Sequence, residues 1–131
     1  MPDNEALEGW AEEATLPYLY HTCDVFADRP FTGNQLAVFP DADGLNSGRM
    51  QLIARELNLP ETAFVLAADG DGNFRVRIFT PASELPFAGH PTIGSALVLA
   101  WLGKVQGSEV VFEEGAGQVP VTLEPAGDGT A

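Results

Sequence analysis

The stretch that follows His90 constrains the fold more than any other. Ile93, Ala96, Leu97, Val98, Leu99, Ala100, Trp101 and Leu102 leave no polar face beyond Ser95. Pro91 suits the start of a helix and Gly103 its end, so the spacing predicts one helix between them. A helix that is apolar all round needs cover on every side. At roughly 1.5 Å per residue this one spans under ~20 Å, too short for a bilayer. The cover it needs must come from the protein itself, and the simplest source is a sheet wrapped around it.

The strands to do this are legible. Leu19 to Phe26 is rich in aromatic and β-branched residues, and Gln35 to Phe39 reads as a second short strand. Thr62 to Ala67 and the alternating Phe74, Val76 and Ile78 flank an Asp69–Gly72 hairpin turn. Val110 to Phe112 and Val119 to Leu123 pair across Glu114–Gly117, with Pro120 placing the last strand at an edge. One further helix begins at Asn46 or Ser47. Its Met50, Ile53, Ala54 and Leu57 share one face, Asn58 suits the left-handed exit, and Pro60 forbids continuation. The expected architecture is α+β: an antiparallel β half-barrel wrapped around a central apolar helix. Residues 16–124 form the lobe, between an acidic flexible tail at 1–15 and a second flexible tail at 125–131.

Composition then narrows the partners. The chain has 131 residues and a formal charge of −13. That charge repels phosphate backbones and anionic lipid, so nucleic acid and membrane are not expected partners. A single cysteine, Cys23, rules out a disulfide framework within the chain and predicts a reducing, cytoplasmic setting. The first fifteen residues carry five acids and no base, which is not a secretory signal pattern.

Most metal and nucleotide motifs fail. Asp69, Asp71 and Asn73 open like a calcium loop, but Phe74 stands where glycine is needed and Thr80 where glutamate is needed. Two histidines and one cysteine offer no transition-metal set, and no phosphate-binding glycine loop is present. Two candidates remain. The loop Glu84–Thr92 enters the apolar helix, whose first turn offers backbone N–H groups and a positive partial charge to an anion. Gly89 lets a ligand approach the backbone there, and His90 can donate a hydrogen bond or carry a proton. The plainer alternative is a His90 that only caps its helix. Glu61 opens an apolar strand just after a helix end, a setting that raises a carboxyl pKa toward acid–base use. Its plainer alternative is a solvated loop glutamate. Asn34, beside Gly33, reads first as a turn residue.

These segments resemble a known family. Asp24-Val25-Phe26-Ala27-Asp28-Arg29-Pro30-Phe31-Thr32-Gly33-Asn34 is similar to the N-terminal signature of the phenazine biosynthesis PhzF-like protein family. Leu57-Asn58-Leu59-Pro60-Glu61-Thr62-Ala63-Phe64 resembles its second motif. Arg77-Ile78-Phe79-Thr80-Pro81, running into Glu84 to Thr92, resembles its third. The resemblance implies a diaminopimelate-epimerase-like lobe and an isomerase that works without a cofactor or metal. It implies Glu61 as the catalytic acid and base, moving a proton between carbons of a small carboxylate-bearing metabolite. It places His90, Gly89, Asn34 and Thr92 with the substrate. Related epimerases carry a thiol just before the loop glycine; Ala88 stands there, so a two-cysteine mechanism is not expected. Pro60 replaces a serine common in the family. The family pattern has two lobes with the site between them, and this sequence matches one. A homodimer, a complementary lobe or a remnant without a second half are the expectations that follow.

Overall fold

The computed structural model describes residues 18–25 and 34–123, except for the side chains of Asp24, Val25 and Asn34. Both expected tails and most of the first family motif lie outside the described residues. In chain order the elements are β1 (His21–Val25), β2 (Asn34–Phe39), α1 (Ser47–Leu57), β3 (Glu61–Ala67), β4 (Phe74–Phe79), β5 (Glu84–Leu85), α2 (Gly89–Trp101), β6 (Glu109–Glu114) and β7 (Gly117–Thr122).

The strands form one seven-stranded sheet in the order β1-β2-β3-β4-β6-β7, with β5 also paired to β4. The sheet is mixed, which corrects the expectation of a purely antiparallel one. The β2–β3 and β4–β6 pairs are parallel. Each parallel pair is bridged by a crossover that carries a helix, α1 for the first and α2 for the second. Such crossovers are right-handed almost without exception. Both step the same way across the sheet, yet β2 and β4 run in opposite directions. The rule therefore puts the two helices on opposite faces.

The two cores follow that geometry. Leu36 and Val38 of β2, Ala63 and Val65 of β3, and Val76 and Ile78 of β4 pack with Ala96, Val98 and Leu99 of α2. Their neighbours Phe39, Phe64 and Phe79 point the other way and pack with Met50 and Ala54 of α1. Successive strand residues thus feed alternate cores, which explains why β3 reads as a continuous apolar run.

Local signals set α1. The Asn46 side chain accepts a hydrogen bond from Arg49 N–H at 2.8 Å, and Asn58 closes the helix in the left-handed region at φ 53°. Gln51 then ties α1 to the loop beyond β4, donating to the carbonyls of Thr80 and Pro81 at 2.9 and 3.2 Å.

The expected full enclosure of α2 does not occur. The sheet does not close into a barrel, so it covers one side of the helix. Leu97 is 51 % exposed and Trp101 75 % exposed on the side left open. The helix also starts at Gly89 rather than Pro91. Among the described residues, no helix is long and apolar enough to cross a membrane.

Candidate functional site

Glu61 is the first residue of β3, delivered there by the left-handed turn at Asn58 and the break at Pro60. It has the parity of Ala63 and Val65 and pairs in register with Leu36 of β2, so it belongs to the face that carries α2. Burial beside this apolar surface raises its carboxyl pKa above the usual value, and the nearby His90 partly offsets the rise. The two candidates from separate motifs are therefore electrostatic neighbours. The plainer reading of Glu61 as a solvated loop residue does not describe this setting.

His90 lies in the first turn of α2. The N-cap residue is Ala88, whose methyl side chain makes no cap hydrogen bond. Pro91 contributes no N–H. Around Gly89 the space is open: an added Cβ would meet nothing within 4 Å. The arrangement combines a half-buried carboxyl, an imidazole and an uncapped positive helix end, which suits an anion beside a group that exchanges protons.

Thr92 does not join this group. Its side chain is only 3 % exposed, and its amide donates back to the Ala88 carbonyl at 3.2 Å. Its hydroxyl lies 2.8 Å from both the Ala88 carbonyl and Glu114 Oε2. Thr92 braces the turn from inside rather than facing the space around Gly89. Asn34 opens β2, paired with Val25, and its side chain lies outside the described residues.

Glu114 escaped the sequence reading, which ended the strand at Phe112. The signal was present in the alternation of Val110, Phe112 and Glu114, which puts a glutamate in an inward row. Burial raises its pKa, opposed by the Thr92 hydroxyl. Next to it, Glu113 points outward and accepts from the amides of Asp69, Gly70 and Gly72 at 2.7–2.8 Å. Those bonds, with Arg75 nearby, hold its pKa below the usual value. Arg77 grips Glu84 through two bonds of 2.8 and 2.7 Å and so fastens β5 to β4. No group of three or more metal-ligating side chains occurs among the described residues.

Several known proteins are similar to this chain. A relative described as an uncharacterized isomerase of Pasteurella multocida is 60 % identical over 84 residues, covering 63 % of this chain and 29 % of its own. The trans-2,3-dihydro-3-hydroxyanthranilate isomerase of Pseudomonas aeruginosa is 48 % identical over 105 residues, covering 80 % of this chain and 37 % of its own. The chain thus spans 29–37 % of the length of these two relatives. The crystal structure of a PhzF-family phenazine biosynthesis protein from Bacillus anthracis superposes with a TM-score of 0.77 at 32 % identity, covering 84 % of this chain and 37 % of that one. The family model described as phenazine biosynthesis-like protein matches residues 23–131, and with that match the chain belongs to the PhzF family of phenazine biosynthesis-like proteins.

Proposed function

We propose that this chain supplies the acid–base half of an isomerase site, acting on a small carboxylate-bearing metabolite without a cofactor. Glu61, as the carboxylate, takes a proton from a substrate carbon. It becomes the neutral acid that its half-buried position favours, then returns the proton to a second carbon of the same molecule. His90 and the open N-terminal turn at Gly89 hold the substrate carboxylate and stabilise the enolate-like charge that develops. Asn34 is assigned to the substrate side. A second copy of the chain or a complementary lobe completes the cleft. The observation that carries this reading is the placement of Glu61 and His90, from two distant motifs, within electrostatic reach at an uncapped helix end.

The name of the Pseudomonas aeruginosa relative supplies a probe, trans-2,3-dihydro-3-hydroxyanthranilate. The chain is incubated with it in deuterium oxide, and deuterium at carbon is read by mass spectrometry. The expected result is incorporation by the wild type and loss of about 10²-fold or more in Glu61→Gln, with an unchanged circular dichroism spectrum. Equal incorporation by the two proteins would overturn the role of Glu61.

The limited span of the chain favours one second reading, a ligand-binding lobe without catalysis. It predicts no incorporation by the wild type, together with binding of the probe that weakens in His90→Ala. Incorporation by the wild type would reject it.

A further inference from the structure

We propose that Glu114 is a positioning residue for the reaction: as the neutral acid, it holds the first turn of α2, and with it Gly89 and His90, against the end of β6. The role in the reaction rests on the function proposed above. The hydrogen-bond geometry does not.

Thr92 Oγ1 is 2.8 Å from the Ala88 carbonyl and 2.8 Å from Glu114 Oε2. A threonine hydroxyl has one hydrogen, and a backbone carbonyl has none. Ionised, Glu114 leaves that one hydrogen to be shared between two acceptors; protonated, it brings a second, and each contact becomes a full hydrogen bond. The chain is then Glu114 Oε2–H to Thr92 Oγ1, and Thr92 O–H to Ala88 O. Glu114 is only 9 % exposed and its Oε1 is buried without a hydrogen-bond partner, an unfavourable place for a charge.

The same turn grips the loop at a second point. Ala116 N–H donates to the Pro86 carbonyl at 3.0 Å. A Cβ on Gly115 would lie 3.0 Å from Pro86 Cα, so only glycine lets the two backbones approach this closely. Residues 114–116 therefore fasten Pro86 and Ala88 before the site and Thr92 after it. Gly89 and His90 are held between these points.

The charged groups nearby do not supply an alternative partner. Arg75 and Arg77 of β4, Glu84 of β5, Asp69 and Glu113 line the same groove as Glu114. Arg77 is committed to Glu84, and Arg75 lies 3.6 Å from Asp69. On α2, His90 acts on Glu61. Burial, the larger cause, raises the pKa of Glu114, and donation from the Thr92 hydroxyl to the ionised form opposes the rise.

The test is NMR on the full chain from pH 4 to 8, with carboxyl ¹³C and backbone ¹⁵N detection. Glu114 should remain protonated above the ordinary carboxylate range, and the Gly89 and His90 amides should move as it ionises. In Glu114→Gln, whose amide N–H replaces the acid proton, that transition should vanish while the low-pH positions persist. In Glu114→Met and Thr92→Val, which break the relay at similar volume, both amides should shift at every pH. Where the chain turns over the probe, deuterium incorporation should fall on the order of tenfold in those two variants and stay within about twofold in Glu114→Gln at low pH. A Glu114 carboxyl that titrates in the ordinary range, or amides indifferent to Glu114→Met and Thr92→Val, would overturn the proposal. If the Met variant fails to fold, the valine and glutamine variants decide it. Intact NMR behaviour without deuterium incorporation leaves the brace standing and removes the catalytic reading.

Discussion

Phe64 is the residue through which the α1 core stands or falls. It is fully buried on β3, on the opposite face from Ala63 and Val65. Its ring stacks on Phe39 at 4.9 Å and meets the edge of Phe79 at 5.5 Å, with Met50 and Ala54 of α1 in the same cluster. Phe64→Ala removes a ring from the middle of three strands and leaves a cavity that two rigid aromatics cannot refill. Such truncations cost about 3–5 kcal/mol, and the loss of both ring pairs argues for the upper half of that range. For a domain with a total stability of about 5–15 kcal/mol that is a large fraction. With a urea m-value near ~1.5 kcal/mol per M, the midpoint should fall by about 2–3 M. Urea titration followed by far-ultraviolet circular dichroism reads the shift. Phe64→Leu should lose roughly a third as much, because it keeps most of the volume. A loss below about 1.5 kcal/mol for the alanine variant would refute the reasoning. It would mean that the α1 face is loosely packed and that β3 is held from the α2 face alone.

Three further outcomes follow from other parts of the molecule. Asn46→Ala removes the cap of α1 and should cost about 1 kcal/mol, or about 3–5 °C in thermal midpoint by calorimetry, while Asn46→Asp should be nearly neutral. Glu113 has a depressed pKa in the folded state, so its contribution is present above the unfolded value and lost as pH falls through the folded one; Glu113→Gln should flatten that acid limb in denaturant melts as pH falls below the usual carboxylate range, and an unchanged limb would contradict the assignment. The open apolar side of α2, with Leu97 and Trp101, should drive self-association that tightens with salt because each chain carries −13; sedimentation showing monomers at low and high salt alike would count against it.

The parts legible in the sequence were those coded locally. Asn46, the i, i+3, i+4, i+7 apolar set and Asn58 mark both ends of α1 without reference to the rest of the chain. Glu61 and His90 were legible as candidates, since a carboxylate opening an apolar run and a histidine entering a helix are short-range patterns. Their proximity was implied only by the family resemblance; from the residues alone it depends on β3 and α2 sharing a face, which the crossover geometry decides. The parallel pairings were hidden for the same reason. β5 is two residues long and is fastened by Arg77 and Glu84, a pairing of two charged side chains that hydrophobic periodicity does not report. Glu114 was hidden by a sound general rule, that charged residues end strands and face water. Its partner Thr92 lies on another element. The uniform apolarity of α2 was read correctly, but it specifies only a need for cover and not where the cover comes from.

The parallel join of β4 to β6 also has a kinetic side. Phe74 meets Phe112 only after the intervening loop, β5 and the whole of α2 have been spanned. Loop-closure entropy must be lost before that contact returns anything, so this pairing raises the contact order and belongs late in folding. A chain emerging from the ribosome can pair β2, β3 and β4 and pack α1 while Glu61 still lacks its imidazole neighbour. The β6–β7 hairpin supplies the contacts to Pro86 and Thr92 on either side of His90. On the proposed function, a chain caught before that closure has most of its secondary structure and an incomplete candidate site.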